Sequence, residues 1–82
     1  MPLPDQPRVA GVKQSTRAVR EGRAERVLLS RDADPAVLAA LVALCREKGV
    51  PTDDGFTMSS LGEACGVRVG ASAAALLKSG LC

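Results

Sequence analysis

The sequence is poor in aromatic residues and contains no histidine. Phe56 is the only aromatic residue among 82, because tryptophan and tyrosine are absent. RNA-recognition motifs, OB folds and cold-shock domains stack bases on aromatic side chains, so this composition argues against those classes of reader. The missing histidine also removes the side chain that most often acts as a general base near pH 7. We therefore expect no catalytic site and no stand-alone enzyme. The carboxylates that remain are interpreted as helix-cap and turn residues, namely Asp32, Asp34, Asp53 and Asp54.

The cysteines form no recognisable pattern. There are three cysteines, Cys45, Cys65 and Cys82, and no two of them have C-x-x-C spacing. No histidine is present to complete a set of zinc ligands. The sequence therefore predicts neither a metal site nor a bound cofactor. Cys45 lies in an apolar helical pattern and is interpreted as a buried thiol in a reducing compartment. Since neither a signal peptide nor an apolar run of membrane-spanning length is present, we expect a cytoplasmic protein with no membrane partner.

Charge is distributed unevenly along the chain. The formal net charge is only +2, yet residues 8–31 carry seven basic and two acidic side chains, whereas residues 32–82 carry four basic and six acidic ones. The basic side chains of the first segment are Arg8, Lys13, Arg17, Arg20, Arg23, Arg26 and Arg31. A basic first third favours a polyanion as the partner. A solvated helix face with surplus arginines is the alternative that charge alone leaves open.

The chain is expected to form a single domain over residues 8–82, after a flexible tail of residues 1–7 that contains three prolines. A first helix is predicted over residues 13–21, ending at Gly22. Its inward face comprises Ser15, Ala18 and Val19. The apolar run at residues 26–30 predicts a buried strand.

The next segment gives the clearest helix signal. Asp34 is a good N-cap, Pro35 suits the first helical position, and Gly49 ends the helix. Its apolar side chains recur at helical spacing: Leu38, Leu41, Val42 and Cys45. A weak, irregular strand is predicted over residues 50–56, which completes a β-α-β unit with parallel strands.

Two elements are predicted in the last third. A short helix is predicted over residues 58–65, with Thr57 as its N-cap and Gly66 as its end. It places Met58, Leu61 and Cys65 on one face against the sheet. Helix propensity alone favours a further helix over residues 72–78, because alanine and leucine rank highest on that scale.

The beginning of the first helix is the strongest functional signal. Gly11, Lys13, Gln14 and Arg17 lie where backbone N–H groups lack intrahelical partners and the helix dipole favours negative charge. Positions 13, 14 and 17 adjoin on one helical face. This arrangement predicts a binding site for a phosphate group.

Three motifs occur together within residues 8–78: G-x-K-Q at a helix start, D-A-D-P before the next helix, and L-G-x-A-C-G before an apolar loop. In these motifs the chain resembles the bacterial kink-turn RNA-binding proteins, in the superfamily of the large-ribosomal-subunit proteins seven-Ae and thirty-e. The resemblance implies a three-layer α/β/α sandwich with a mixed four-stranded sheet, in which residues 72–77 form the last strand. It also implies binding to the kink-turn, a sharply bent RNA duplex with tandem sheared G·A pairs beside a bulge.

The family's contacts can be carried onto matching positions. Gly11 would permit close backbone approach, Lys13 and Gln14 would read guanine edges, and Arg17 would meet backbone phosphate. The apolar loop of the family matches Val67, Arg68 and Val69, where aliphatic side chains would pack against an unstacked base. Arg31 would be a further phosphate contact. Ribosomal RNA or another non-coding RNA is the implied partner, with the ribosome as one setting, and a monomer is the simplest expectation.

Other interpretations of these residues stay open. Gly11 could serve the turn alone, Lys13 and Arg17 could be solvated, and Val67 and Val69 could cap the core. Arg31 could be a surface charge with no RNA contact. The main rival function is a protein-interaction or scaffold domain of the same fold. A second rival is a module that accompanies an RNA methyltransferase domain, since fold does not fix function.

The sequence also departs from the family. Thr52, Gly55 and Ala74 stand where the family usually has valine-like residues, which predicts two weakened strands. RNA binding would offset the lower stability by mass action.

Overall fold

Strands and helices alternate along the chain in the computed structural model, which describes residues 7–66 and 70–78. In chain order the elements are β1 (Arg8–Ala10), α1 (Val12–Arg20), β2 (Ala24–Ser30), α2 (Pro35–Lys48), β3 (Thr52–Phe56), α3 (Met58–Ala64) and β4 (Ala73–Leu77). Outside the described residues lie residues 1–6 of the predicted tail over residues 1–7, the loop residues Val67, Arg68 and Val69, and Cys82. Pro7 is described, and its carbonyl accepts a 2.8 Å hydrogen bond from the N–H of Leu77.

The described strands form one mixed sheet of four, in the order β1-β4-β2-β3. β4 runs antiparallel to both of its neighbours, whereas β2 and β3 are parallel, which confirms the predicted β-α-β unit. The register between β2 and β3 shifts between Leu28 and Ser30, as expected for an irregular strand. β1 and β3 are the edges of this sheet. β1 has only three residues, and β3 carries Asp53, Asp54 and Gly55.

Each face of the sheet has its own core, because successive side chains of a strand point to opposite faces. Val27 and Leu29 of β2 pack with residues of α1 and α2, whereas Leu28 between them packs with Leu61 of α3. Ala73 and Ala75 of β4 likewise face the larger core, and Ala74 faces the smaller one. Two helices therefore cover one face and α3 covers the other, which confirms the predicted three-layer α/β/α sandwich.

The helix ends follow the predicted local chemistry. Asp34 caps α2 by accepting a hydrogen bond from the N–H of Ala36 at 2.9 Å, and Pro35 occupies the first helical position. Gly49 ends this helix in the left-handed conformation, with φ of 72°. Thr57 and Ser60 form a reciprocal capping box at the start of α3. Within the described part of the chain, no helix has the length and apolar character of a bilayer span.

Two expectations from local sequence were wrong, and one strand was missed. Residues 73–77 are a strand and not the helix that propensity favours, because β4 pairs with β1 and β2 on both sides and its alanines are fully buried. Met58 packs against the larger core, whereas Leu61 lies in the smaller one and Cys65 packs against it. β1 was not predicted from its residues, since three residues are too few to show a period.

Candidate nucleic-acid interface

Gly11 fixes where α1 begins. Its backbone has φ of 101° and ψ of 151°, a conformation that residues with a side chain rarely adopt. The N–H of Gly11 donates a 2.7 Å hydrogen bond to the carbonyl of Ala73 in β4, and its own carbonyl accepts a 2.9 Å bond from the N–H of Ser15. The turn before α1 is therefore attached both to the sheet and to its own helix.

The start of α1 is open to an anion. Gly11 has no side chain to cap the helix, and the first turn contains no acidic residue. Nothing lies within 4 Å of the position that a Cβ on Gly11 would occupy. No side chain therefore caps the first-turn N–H groups, and no carboxylate of that turn offsets the positive end of the helix dipole.

The sequence-predicted polar residues of α1 come together on its exposed side. A shallow cleft of about 380 Å³, which we call the α1 cleft, is lined by Lys13, Gln14, Thr16, Arg17, Arg20 and Glu21. Lys13 and Gln14 are exposed and contact no hydrogen-bonding or ionic partner among the described residues. Their amine and amide groups are therefore available to a ligand.

Arg20 was not singled out from the sequence, although it lines the same cleft. It lies three residues after Arg17, so the helical spacing that joined positions 13, 14 and 17 also contained it. The cleft thus carries three basic side chains, from Lys13, Arg17 and Arg20, on one exposed helix surface.

Arg17 is engaged by an acidic neighbour at the end of α1. Its Nε donates to one carboxylate oxygen of Glu21 at 3.2 Å, while Nε of Arg23 donates to the other oxygen at 2.8 Å. All three side chains are well exposed, with 68% of Arg17 accessible. The hydrogen bond from Arg17, followed by that from Arg23, lowers the pKa of Glu21, so the carboxylate is ionised near neutral pH.

The opposite side of α1 is packed as predicted. Ser15, Ala18 and Val19 are buried, and α1 lies against α2 and β4. The hydroxyl oxygen of Ser15 is buried and has no hydrogen-bond partner among the described residues. Because this side is anchored, Lys13, Gln14 and Arg17 are directed to solvent.

Arg31 lies elsewhere. Its backbone N–H donates to the carbonyl of Phe56 at 2.9 Å, and its exposed side chain lines a second depression of about 470 Å³ with Arg46 and Asp54. This depression shares no lining residue with the α1 cleft. The structure therefore does not bring Arg31 into the cleft with Lys13 and Gln14.

Arg8, which belongs to the basic first third of the sequence, has a structural contact. Its Nη1 donates a 2.9 Å hydrogen bond to the carbonyl of Ala64, the last residue of α3. A cation at this position also interacts favourably with the negative end of the helix dipole. The side chain of Arg8 thus connects β1 to α3, so part of the basic charge of the first segment has a structural role.

The predicted loop contacts at Val67, Arg68 and Val69 lie outside the described residues, but the chain on both sides is defined. Gly66 follows α3 with φ of 76°, and the N–H of Ala71 donates to the carbonyl of Met58 at 3.0 Å. Ala71 is buried. The flanking residues Gly66 and Ala71 are therefore both hydrogen-bonded to α3.

The pKa values of the two described cysteine thiols reflect their burial. Cys45 is buried in the larger core, and this burial raises the pKa of its thiol. Burial also raises the pKa of the half-buried Cys65, with a smaller opposing effect from Arg8. Among the described residues, no cluster of three or more histidine, cysteine or acidic side chains is arranged to hold a metal ion.

Relatives of this sequence are named for RNA binding. An RNA-binding protein of Geobacillus sp. (strain WCH70) is 39% identical over 70 residues, which cover 85% of each chain. The RNA-binding protein YbxF of Geobacillus stearothermophilus is 40% identical over 70 residues, again 85% of each chain.

Solved structures share the fold. The Giardia lamblia 15.5kD RNA binding protein superposes with a TM-score of 0.82 at 32% identity; the match covers 89% of this chain but only 62% of the Giardia chain. A protein with unknown function from Bacillus halodurans C superposes with a TM-score of 0.79 at 25% identity, covering 89% of this chain and 73% of that one. The sequence also matches a family description over residues 5–81. The chain therefore belongs to the ribosomal protein L7Ae/L30e/S12e/Gadd45 family.

Proposed function

We propose that this protein binds structured RNA and recognises kink-turns through the α1 cleft. One observation carries the proposal. The N-terminus of α1 has no side-chain cap, and the exposed side chains of Lys13, Gln14 and Arg17 lie beside it. Relatives about 40% identical over most of the chain are named RNA-binding proteins, which supports RNA as the ligand.

The residues at and beside the α1 cleft would have three different chemical roles in RNA binding. The absent side chain at Gly11 leaves room for a nucleic-acid backbone or base edge to approach the first turn. Lys13 can donate to the O6 and N7 acceptors of guanine, and the amide of Gln14 can both donate and accept. Arg17 offers a cation to a backbone phosphate. Tandem sheared G·A pairs would present guanine edges to such a surface.

Two further contacts belong to the proposal. Val67, Arg68 and Val69 would provide an apolar contact to an unstacked base, so that recognition has two separate parts. Arg31 would provide a phosphate contact distant from the base-reading residues, since it lines a different depression. We propose a monomeric, cytoplasmic protein that acts by binding and not by catalysis, with ribosomal RNA or another non-coding RNA as its partner.

The test is a fluorescence-anisotropy titration at one stated salt concentration. One RNA contains a kink-turn, and the other is identical except that its sheared G·A pairs are replaced by Watson–Crick pairs. We expect tighter binding to the kink-turn RNA. Equal affinity for the two would reject kink-turn recognition and leave only electrostatic attraction. No binding to either RNA would favour the scaffold function instead.

A further inference from the structure

The α1 cleft contains its own anion. Glu21 is the one acidic side chain among the described residues that line it. Its two carboxylate oxygens are occupied by different arginines, Arg17 at 3.2 Å and Arg23 at 2.8 Å. A phosphate group presents the same kind of charged oxygen to a guanidinium as a carboxylate does.

We propose that Glu21 competes with RNA phosphate for Arg17 and Arg23, and so lowers the affinity of this face for every RNA backbone. The proposal rests on RNA binding by the α1 cleft. In the free protein the carboxylate holds both guanidinium groups by their Nε atoms. A phosphate that binds Arg17 must either displace Glu21 or share the arginine with it, and it also approaches a like charge.

This competition acts on one part of recognition only. Backbone phosphates are present in every RNA, so weaker phosphate contacts reduce specific and nonspecific binding by the same factor. Lys13 and Gln14, the proposed base readers, have no ionic contact with Glu21 in the structure. Glu21 would therefore limit the protein's attraction to arbitrary RNA while leaving discrimination between RNAs unchanged.

The expected effect is modest because the ion pairs are exposed. Exposed ion pairs of this kind contribute little in water, and removing one corresponds to a change of about two- to five-fold in affinity. Releasing an arginine for one more phosphate contact would also steepen the dependence of log affinity on log salt by about 0.7 to 0.9.

The experiment compares Glu21→Gln with Glu25→Gln. Both remove one negative charge from an exposed residue, but only Glu21 is hydrogen-bonded to the arginines. Each variant is titrated with the kink-turn RNA and with its G·A-replaced version, across a series of salt concentrations. Circular dichroism checks that both variants are folded.

We expect Glu21→Gln to bind both RNAs more tightly by the same factor and with a steeper salt dependence, and Glu25→Gln to gain less. The gain from Glu21→Gln should shrink in an Arg17→Gln background, since one of the released cations is then missing. Equal gains for the two glutamine variants, or a loss of affinity in Glu21→Gln, would overturn the proposal.

The outcomes separate this proposal from the proposed function. Kink-turn discrimination by the wild-type protein tests the function, whereas the difference between the two glutamine variants tests the competition. The second measurement works on either RNA, even if discrimination fails. Wild-type protein that bound no RNA at low salt would overturn both.

Discussion

The N–H of Gly11 donates a 2.7 Å hydrogen bond to the carbonyl oxygen of Ala73, which joins the start of α1 to an interior strand of the sheet. Ala73 is fully buried, so this acceptor is held by the core. The proposed RNA-binding helix is therefore attached at its start to an interior strand of the sheet that separates the two cores.

Replacing Gly11 tests the importance of this turn. Gly11→Ala should lower the free energy of unfolding by about 1–3 kcal/mol, because φ of 101° strains any residue with a Cβ even though the space is open. RNA affinity should also fall, because the strained turn shifts the first residues of α1. Urea denaturation and RNA titration measure the two effects.

Gly49→Ala is the matched control. Gly49 also has a positive φ, of 72°, at a helix end, and nothing lies within 4 Å of the position that its Cβ would occupy. This variant should lose stability but retain RNA affinity, because Gly49 ends α2 and does not line the α1 cleft. Similar losses of affinity in both variants would mean that reduced stability alone explains the result.

Base reading and phosphate binding should separate on mutation. Lys13→Ala or Gln14→Ala should reduce discrimination between the kink-turn RNA and its G·A-replaced version by about 1–3 kcal/mol, the scale of a base-edge contact. The ratio of the two dissociation constants at fixed salt gives this value. Unchanged discrimination in Lys13→Ala would show that Lys13 does not read bases.

Arg17→Ala should behave differently. The variant should bind both RNAs more weakly by the same factor, because a phosphate contact carries no sequence information. The slope of log affinity against log salt concentration should become shallower by about one. Lys48→Ala removes an exposed cation from the end of α2 and serves as the charge control. A change in discrimination comparable to that of Lys13→Ala would assign Arg17 to the bases.

Ser15 offers a stabilising substitution. Its buried hydroxyl has no partner among the described residues, and an unpaired buried polar group is costly. Ser15→Ala should raise the free energy of unfolding by about 1 kcal/mol, helped by the higher helix propensity of alanine. Ser59→Ala, at an exposed position of α3, should gain only the smaller propensity contribution. Destabilisation by Ser15→Ala would show that the hydroxyl is satisfied in solution.

The rate at which each cysteine is alkylated should decrease with its burial. Alkylation of Cys45 should be slow in the native protein and fast in urea, because burial shields the thiol from the reagent and raises its pKa, which lowers the thiolate fraction. The half-buried Cys65 should react at an intermediate rate. Mass spectrometry after timed alkylation assigns the modified sites, and rapid native labelling of Cys45 would contradict its burial.

The same shift predicts the direction of pH dependence. The folded state raises the pKa of Cys45 above its ordinary value of 9.0, so folding favours the neutral thiol. The contribution of this group to stability is complete below about pH 9 and declines as the pH rises through the folded-state pKa. Cys45→Ala should reduce this alkaline loss, which urea denaturation between neutral and alkaline pH would detect.

Local chemistry predicted the parts of the fold where strong short-range signals exist. Asp34, Pro35 and Gly49 marked α2 because capping and φ preference act within a few residues. β4 could not be predicted from propensity, since its conformation depends on pairing with β1 and β2. Resemblance to a family supplied that strand, and β1 lacked enough residues for a pattern.

In the candidate site, too, local sequence predicted some features and not others that depend on the tertiary fold. Helical spacing placed Lys13, Gln14 and Arg17 on one exposed surface of α1, as the structure has them. The pairing of Glu21 with Arg17 is also an i, i+4 relationship, but the contact with Arg23 depends on how the chain turns after α1. Arg31 follows β2 and lines a depression with residues of α2, whereas the cleft lies along α1, and helical spacing does not encode this separation.

The two edges of the sheet have a consequence for how copies of this protein meet. A second molecule could pair with only three residues at β1, and at β3 it would bring Asp53 and Asp54 of one copy towards those of another. Short strands and like charges both disfavour edge-to-edge pairing, the route by which sheets extend into aggregates. The acidic residues that make β3 a poor strand thus also protect it, and concentrated solutions of the protein should resist fibre formation.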